Sequence, residues 1–217
     1  HAHSAKTGLL GRLAGNFLGK KLVYTVHGWP MNSTNISFIK RAYFILEKSV
    51  MKITHRTICL NSRDLAIGRT MNPNGRLSLL PNGVDLTRFY PKVEVSDKTK
   101  VLFMGRLDSQ KDPLFFLDGI ASAKNIETVS IRVVGEGILF TEVINRIEAL
   151  KSSEIDIALS SWSNSPEQIY RDSDIFVMTS RYEGMPLALL EALACGLTCI
   201  VPDIPELTEI IDDGING

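Results

Sequence analysis

Apolar residues in this chain fall into short β-rich runs that alternate with stretches of helical periodicity. Eight runs are predicted to be strands, near residues 21–26, 56–60, 77–80, 100–104, 130–134, 156–159, 174–178 and 198–201. Seven helices are predicted at residues 4–18, 37–52, 62–71, 113–123, 138–151, 166–171 and 186–195. Alternating strands and helices are typical of βαβ units on parallel sheets. The pattern therefore predicts an α/β protein.

A turn-rich segment interrupts this alternation. Residues 81–85, Pro-Asn-Gly-Val-Asp, form a turn cluster, and the charged residues 92–98 follow without a predicted strand. The next run, Val101–Met104, is continuously apolar, as expected of a parallel strand that is buried on both faces. We therefore predict a linker here and two domains, residues 1–96 and residues 97–217.

Composition and charge narrow the class of function. Of 217 residues, 44% are hydrophobic and 22% charged, and the 24 Lys plus Arg balance the 24 Asp plus Glu. A formal charge of zero gives no whole-molecule attraction to nucleic acid, so no nucleic-acid partner is expected and any bound anion must be held locally. Three cysteines without a CxxC pair favour a reducing, cytoplasmic location.

The first candidate site follows the strand at residues 100–104. Ligands of open parallel sheets bind beyond the carboxyl ends of the strands, and here Gly105, Arg106 and Lys111 come next. A tight turn, a guanidinium group and an ammonium group suit a diphosphate. Two solvated surface cations would give the same pattern and are the more frequent explanation when it stands alone.

The second candidate site lies between the strand at residues 174–178 and the helix that begins at Pro186. Backbone amides of Gly184, Met185 and Leu187 are expected to point out of this helix N-terminus, where an anion can bind.

Glu191 occupies the middle of the same apolar helix, where an unpaired carboxylate is costly. It is therefore expected to accept hydrogen bonds from a specific group. That group is a ligand or, in a purely structural role, a buried arginine or backbone amides.

Glu183 and Glu191, with seven residues between them in EGMPLALLEALACG, resemble the E-x7-E motif of retaining GT-B glycosyltransferases of family 4. Other segments resemble the same family, namely NGVDLTRFYP, VLFMGRLDSQKDP with its GR…K donor-phosphate loop, VVGEG, HAHSAKTGLLGRLAG and VYTVHGWP. The resemblance implies two Rossmann-like parallel-sheet domains that face a cleft. Residues 1–96 would bind the acceptor and residues 97–217 the nucleotide-sugar. Because family members extend beyond both ends of this chain, both domains are expected to be incomplete here.

The resemblance also implies roles for individual residues. Arg106 and Lys111 would hold the donor diphosphate and stabilise charge on the departing nucleotide. Glu191 would bind the ribose hydroxyl groups, and Glu183, as a catalytic residue, would lie beside the donor sugar. No residue is assigned to distinguish uracil from guanine, and Ser160, Ser161 and Trp162 only occupy a loop where contacts to the base could form.

Backbone amides and two histidines complete the implied site. Gly184, Met185 and Leu187 would offer amides to the phosphates and the sugar. His27 would face the reaction centre from the acceptor side, although a structural histidine at a strand end is the alternative. His3 would lie near the acceptor groove, ahead of a helix.

The implied activity is retaining transfer of a sugar from a nucleotide-sugar, a UDP-sugar, to a polysaccharide or lipid-linked glycan. The mechanism needs no protein nucleophile, no cofactor and no metal. Asp172-Ser173-Asp174 spells the DxD metal signature of the other glycosyltransferase fold, but it precedes a strand and so lies at the wrong edge of the sheet. A UDP-sugar epimerase of the same fold and a non-catalytic nucleotide-sugar-binding fragment are the alternatives.

The segment at residues 6–21 has an amphipathic pattern. It groups leucines with Phe17 on one helical side and carries Arg12, Lys20 and Lys21. This pattern favours a helix packed on the sheet, and a membrane-surface helix is the alternative. The lipid-linked acceptors of the family favour peripheral contact with the inner face of the membrane.

Overall fold

The computed structural model describes residues 1–29, 36–92, 98–151 and 155–217. The chain forms two compact units, one of residues 1–82 with 182–185 and one of residues 83–181 with 186–217. The domain boundary predicted between residues 96 and 97 lies outside the described residues.

The first unit is built on a parallel four-stranded sheet in the order β1-β2-β3-β4. Its strands are β1 (Ala2–His3), β2 (Val23–Val26), β3 (Arg56–Cys59) and β4 (Leu77–Leu79), and its helices are α1 (Ala5–Phe17), α2 (Ser37–Met51) and α3 (Ser62–Met71). Every connection runs to the next strand in the same direction, so right-handed crossovers place the three helices on one face of the sheet. The sequence pattern missed β1, because two residues show no period.

Helix α1 packs on this sheet through an unexpected face. Gly8 and Arg12 are buried, whereas Leu10 is 67% and Phe17 is 89% exposed. A Cβ atom at Gly8 would lie 2.5 Å from Cε2 of Tyr24, so the absence of a side chain lets the helix approach the ring closely. The helix packs on the sheet as predicted, but with its apolar side outward.

The buried face of α1 carries a charge that is neutralised within the fold. Arg12 Nη2 donates a hydrogen bond to Glu47 Oε1 over 3.0 Å and lies 2.9 Å from Glu47 Oε2. Its guanidinium carbon lies 3.9 Å from the centre of the Tyr24 ring. Arg12 therefore joins α1 to α2 inside the unit.

The second unit contains a parallel five-stranded sheet in the order β7-β6-β5-β8-β9. Its strands are β5 (Thr99–Met104), β6 (Val129–Val134), β7 (Ile157–Ser160), β8 (Ile175–Val177) and β9 (Thr198–Ile200). Its helices are α4 (Pro113–Ser122), α5 (Phe140–Lys151), α6 (Pro166–Arg171) and α7 (Leu187–Ala194), and a 3-10 helix covers Ile126–Thr128.

Strand β5 lies at the centre of this sheet. Leu102 and Met104 belong to one apolar cluster and Phe103 to another, which confirms that the strand is buried on both faces. The chain order reverses between β5 and β8. In such sheets the carboxyl ends of the two strands at the reversal diverge and leave a crevice for a ligand.

The cysteines are part of the core. Cys59, Cys195 and Cys199 are free and buried. Burial raises the pKa of Cys59 and of Cys199 to about 12, with the charge of Asp64 as a second cause at Cys59. Both remain protonated thiols at neutral pH and act as small apolar groups.

Among the described residues, no helix is both long enough and apolar enough to cross a bilayer.

Candidate active site

A cavity of about 300 Å³ opens at the strand reversal of the second unit. Its lining includes Gly105, Arg106, Lys111, Trp162, Tyr170 and Glu191. All of these except Tyr170 were candidates from sequence, and they come from three separate segments that surround one space. Leu187, which begins α7, is 50% exposed and is not part of this lining.

The loop after β5 holds its own arginine in place. Asp108 Oδ1 accepts hydrogen bonds from the amides of Gln110 and Lys111, and each donor–acceptor distance is 3.0 Å. Asp108 Oδ2 lies 3.0 Å from Arg106 Nη1, and Arg106 Nη2 donates to Gln110 Oε1 over 2.8 Å. The guanidinium group is therefore positioned at the loop before any anion arrives. The sequence analysis did not select Asp108, although aspartate two residues ahead of a turn amide is an Asx-turn signal.

The turn after β6, within the VVGEG segment, supports this loop from one side. The amide of Leu107 donates to the carbonyl of Glu136 over 2.8 Å, and the amide of Gly105 donates to the carbonyl of Val134 over 3.0 Å. At Gly135, φ is 153° and a Cβ atom would lie only 1.9 Å from the carbonyl oxygen of Gly105. Since a side chain at residue 135 would displace the loop, this glycine fixes the separation of the two turns.

The segment after β8 holds the loop from the other side. The Thr179 hydroxyl lies 2.9 Å from the carbonyl oxygens of both Lys111 and Asp112. Arg181 Nε donates to Asp112 Oδ2 over 2.8 Å, and the Arg181 amide donates to the carbonyl of Gln110 over 2.8 Å. The loops that follow β5 and β8 are thus joined at the strand reversal.

Glu191 is half-buried beside the cavity, and a neighbouring tyrosine explains its position. The Tyr170 hydroxyl donates to Glu191 Oε2 over 3.0 Å. Burial raises the pKa of Glu191, although the Tyr170 hydrogen bond and the charge of Arg88 act in the opposite direction. The hydrogen bond to Glu191 Oε2 therefore comes from a neutral hydroxyl, and the charge of Arg88 also acts on the carboxylate.

Tyr170 itself is a residue that the sequence analysis missed. Its ring is buried between Phe89 and Phe176, with ring centres 5.9 Å away on each side. Burial raises the pKa of Tyr170 well above its ordinary value, so the hydroxyl remains a donor. No local motif marks this tyrosine, because its partner Glu191 lies 21 residues away along the chain.

The aromatic side chain in the cavity comes from the loop after β7. Trp162 is 49% exposed and lies on the lining. Ser160 and Ser161 line a different space beside α5. Of the three residues expected near a base, only Trp162 shares the cavity with Arg106 and Glu191.

In the first unit, two predicted histidines meet at the carboxyl ends of β1 and β2. His3 Nδ1 lies 3.0 Å from His27 Nε2, so one ring donates and the other accepts. Burial, and then the charge of His3, lower the pKa of His27 below its ordinary value. A neutral His27 ring is therefore favoured at neutral pH.

The segment from Glu183 to Met185 also belongs to the first unit, and Glu183 is buried there. Asn61 Nδ2 donates to the carbonyl of Gly184 over 2.9 Å, and Asn82 Nδ2 donates to the carbonyl of Met185 over 2.8 Å. In a trans peptide the amide points opposite to the carbonyl, so the Met185 amide points away from Asn61. Asn61 was not predicted from sequence, although it follows closely on β3, where ligand-facing residues are expected.

The DxD sequence lies at the amino end of β8. Asp174 Oδ2 accepts a hydrogen bond from the Lys100 amide over 2.7 Å, and Asp172 Oδ1 lies 3.7 Å from Lys92 Nζ. Across the described ranges, His, Cys, Asp and Glu side chains form no group of three that could hold a metal ion. Independence from metal ions and cofactors stays a prediction.

Two family profiles match the chain. The profile described as Glycosyl transferases group 1 matches residues 88–217, and that described as Glycosyltransferase Family 4 matches residues 1–88. Among curated proteins, the UDP-Gal:alpha-D-GlcNAc-diphosphoundecaprenol alpha-1,3-galactosyltransferase of Escherichia coli is 37% identical over 221 residues. That alignment covers 94% of this chain and 57% of the relative, so the chain spans little more than half of the relative's length.

Solved structures share the fold. Anabaena HepE in complex with UDP and glucose has a TM-score of 0.80 at 18% identity, covering 98% of this chain and 61% of that one. The pneumococcal O-GlcNAc transferase GtfA in complex with UDP and GlcNAc has a TM-score of 0.78 at 19% identity, covering 98% of this chain and 43% of that one. These matches confirm the predicted GT-B fold.

Proposed function

Because the chain belongs to the glycosyl transferases group 1 family, we propose that the protein transfers a hexose from a UDP-sugar to a lipid-linked glycan during polysaccharide synthesis. The observation that carries this proposal is the single cavity that combines Arg106, Lys111, Trp162 and Glu191. These groups match the parts of a nucleoside diphosphate: two cations for the phosphates, an aromatic ring for the base and a carboxylate for the ribose. The 37% identical relative is named for a UDP-Gal donor and a diphosphoundecaprenol-linked acceptor.

The donor would lie along the cavity from base to sugar. Trp162 would stack on the base, since an aromatic ring offers a flat apolar surface. Glu191 Oε1 would accept a hydrogen bond from a ribose hydroxyl, while Oε2 is held by Tyr170. Arg106 would bind phosphate oxygens with its fork of donors, and Lys111 would add a compact positive charge.

The proposed reaction proceeds with retention on one face of the sugar. The bond between the anomeric carbon and the diphosphate oxygen breaks, and a bond to the acceptor oxygen forms on the same face. The acceptor hydroxyl proton passes to the departing phosphate oxygen, so the products are UDP and the extended glycan. Arg106 and Lys111 stabilise the negative charge that develops on the leaving group, and we propose that these two cations make a metal ion unnecessary.

We assign the acceptor side to residues 1–96, which include His3 and His27. A neutral His27 ring can exchange hydrogen bonds with a sugar hydroxyl, and the contact with His3 orients it. Glu183 would lie beside the donor sugar, and the amides of Gly184, Met185 and Leu187 would face the phosphates and the sugar. In this assignment residues 1–96 bind the acceptor and residues 97–217 bind the donor.

The acceptor also suggests where the protein works. A diphosphate-linked polyprenol stays in the bilayer with its glycan at the surface. We therefore propose that the protein acts on the cytoplasmic side as a peripheral enzyme at the inner face of the membrane.

The test is turnover with a panel of donors. The protein is incubated with UDP-galactose, UDP-glucose or UDP-GlcNAc and a polyprenyl-diphosphate-linked GlcNAc, and UDP and glycan products are quantified. One donor should give the extended glycan with stoichiometric UDP, and Arg106→Ala should lower kcat/KM on the order of 100-fold, since it removes charge stabilisation of the leaving group.

Lys124→Ala, which removes an exposed lysine of the same unit, is the matched control and should leave turnover unchanged. An isomerised donor without a glycan product would identify an epimerase instead. Donor binding without turnover would identify a non-catalytic binding protein.

A further inference from the structure

The segment Tyr182–Met185 contains the first glutamate of the E-x7-E motif and lies in the first unit. The strand before it, β8, and the helix after it, α7, belong to the second unit. Residues 182–185 form neither helix nor strand, so no regular backbone hydrogen bonding fixes their course. Their position therefore depends on the groups of the first unit that they contact.

Asn61 holds this segment by its backbone. Its Nδ2 atom donates a hydrogen bond to the Gly184 carbonyl over 2.9 Å. Asn61 is 1% exposed, so water competes little for this hydrogen bond, which is electrostatically stronger than one at the surface. The peptide next to Glu183 is thus fixed by a buried side chain that lies 123 residues away along the chain.

Helix α3 sets the orientation of the Asn61 side chain. Asn61 is the N-cap of α3, and its Oδ1 atom accepts a hydrogen bond from the Asp64 amide over 2.7 Å. Because Oδ1 faces this amide, Nδ2 is the donor to the Gly184 carbonyl and to Asp64 Oδ2, which lies 3.1 Å away. Trp29 Nε1 donates to the Asp64 carbonyl over 2.8 Å and steadies the same turn. The helix that Asn61 caps therefore directs its donor atom toward the segment.

The turn after β2 contacts the segment as well. A Cβ atom at Gly184 would lie 2.9 Å from the carbonyl carbon of His27 and 3.1 Å from its oxygen. These are backbone atoms, so a side chain at residue 184 would push the segment away. Glu183 is consequently one residue from a close backbone contact with His27, which we assign to the acceptor side.

Asn82 holds the next carbonyl in the same way. Its Nδ2 atom donates to the Met185 carbonyl over 2.8 Å, and its backbone amide lies 3.0 Å from Met185 Sδ. Two successive carbonyls, those of Gly184 and Met185, are thus bound by asparagine side chains of the first unit. Carbonyls outside helices and strands need such partners, so the two asparagines take the place of a regular ladder.

We propose that Asn61 and Asn82 are positioning residues for the transfer reaction, and that they fix Glu183 by holding the two peptide carbonyls that follow it. Neither asparagine needs to touch the substrate, because each acts through the backbone of residues 184 and 185. The inference rests on the proposed function, in which Glu183 lies beside the donor sugar. The cavity assigned to UDP is lined by residues of the second unit, so the asparagines should govern transfer and not UDP affinity.

The first test separates turnover from binding. Asn61→Ser keeps a favourable N-cap for α3 but removes the amide donor to Gly184. With the donor that the wild type uses and a polyprenyl-diphosphate-linked GlcNAc, kcat should fall on the order of tenfold, because the displaced segment misplaces Glu183. The Kd for UDP, measured by calorimetry, should stay unchanged. Asn82→Ala should lower kcat in the same direction, and it decides the question if Asn61→Ser does not fold.

Val50→Ala is the matched control, because it removes buried apolar atoms from α2 of the same unit. Urea denaturation compares its stability with that of Asn61→Ser. The control should keep the kcat of the wild type at temperatures where all variants are folded. If it loses as much kcat as Asn61→Ser does, reduced stability explains the loss and the inference is wrong.

A spectroscopic measurement tests the two anchors without donor or acceptor. The protein is labelled with carbon-13 at its methionine methyl groups, and the Met185 signal is assigned through Met185→Leu. In Asn61→Ser and Asn82→Ala this signal should move toward its position in the unfolded chain, because the segment is released. In Val50→Ala it should stay where it is in the wild type.

Three results would overturn the inference: an unmoved Met185 signal, an unchanged kcat in both asparagine variants, or a loss of UDP affinity as large as the loss of kcat. Transfer by the wild type together with full kcat in the variants would refute this inference and leave the proposed function intact. A wild-type protein that binds UDP but transfers no sugar would refute the proposed function, and the Met185 signal would then decide whether the asparagines fix the segment.

Discussion

Helices α1 and α7 each remove a charged side chain from solvent, and the two charges are treated differently. Arg12 on α1 is fully buried, and both the Glu47 carboxylate and the face of the Tyr24 ring contact it. Glu191 on α7 is half-buried, and its hydrogen bond at Oε2 comes from the neutral Tyr170 hydroxyl. Arg12 has a counter-charge in direct contact, whereas Glu191 accepts a hydrogen bond from a neutral hydroxyl and its pKa is raised by burial despite the opposing charge of Arg88.

This difference fits a structural role for Arg12 and the ligand-binding role that we propose for Glu191. A fully buried ion pair such as Arg12–Glu47 has little capacity left for a ligand, and the protein loses most stability when one partner is removed. A half-buried carboxylate whose pKa is raised by burial destabilises the empty protein slightly when it is ionised, and it lies beside a cavity where a ligand can reach it. Substitutions at Arg12 or Glu47 should therefore change the free energy of unfolding, and substitutions at Glu191 or Tyr170 should mainly change the affinity for a ligand.

The largest effect is expected from Glu47→Ala. This change leaves the Arg12 guanidinium buried without its counter-charge, so the free energy of unfolding should fall by about 3–5 kcal/mol, measured by urea denaturation. The double variant Arg12→Met/Glu47→Leu replaces the pair with apolar groups and should recover most of this loss.

Glu148→Ala, at an exposed ion pair with Lys151, is the surface control and should change stability by less than about 1 kcal/mol. If Glu47→Ala lowers the free energy of unfolding no more than this control does, the buried pair does not stabilise the fold and the contrast between Arg12 and Glu191 is wrong.

Glu191→Gln, in contrast to Glu47→Ala, should weaken ligand binding and leave stability intact. The affinity for UDP, measured by calorimetry, should fall by about 1.5–3 kcal/mol, because a charged acceptor for the ribose is lost. The free energy of unfolding should not fall, since the variant no longer incurs the desolvation cost that raises the pKa of Glu191. A loss of stability with unchanged UDP affinity would place Glu191 among the structural charges.

The pH dependence gives an independent check of the same variant. The pKa of Glu191 is raised in the folded state, so the folded protein holds the proton at pH values where the unfolded chain has lost it. Stability of the wild type should therefore decrease as pH rises from the ordinary glutamate pKa through the raised one, and Glu191→Gln should lack this decrease. UDP affinity of the wild type should weaken as pH falls through the raised pKa.

Tyr170→Phe should give the smallest effect. Loss of one hydrogen bond should lower the free energy of unfolding by about 1 kcal/mol and weaken UDP binding severalfold. Because the Tyr170 hydrogen bond lowers the pKa of Glu191, the pH at which UDP affinity weakens should move upward in the variant. Tyr43→Phe, on the surface of α2, is the control and should leave both quantities unchanged, and a Tyr170→Phe titration identical to wild type would contradict the role of the tyrosine.

The order of helices and strands was predictable, since each predicted element overlaps an observed one. Arg106, Lys111 and Glu191 were recognisable as candidate site residues because they follow a strand or interrupt an apolar helix, and the structure places them around one cavity. These signals lie in short segments of sequence. The parallel sheet then brings them together, because its strands end at the same edge.

The orientation of α1 was not predictable from periodicity. A repeat shows which residues share a face of a helix, but not which face meets the sheet. That choice depends on the fit of Gly8 against Tyr24 and on the meeting of Arg12 with Glu47, which lies 35 residues away. Tyr170 escaped notice for a similar reason, since its role exists only in contact with Glu191.

The close approach of Gly135 to Gly105 has a consequence for engineering. The turn after β6 leaves no room for a side chain beneath the arginine loop, so residues 105–107 and 135–137 fit each other as a pair. An exchange of donor loops between homologous enzymes must therefore carry both segments. A chimaera that exchanges residues 105–107 alone would pack the new loop against a 135–137 turn whose shape fits a different sequence.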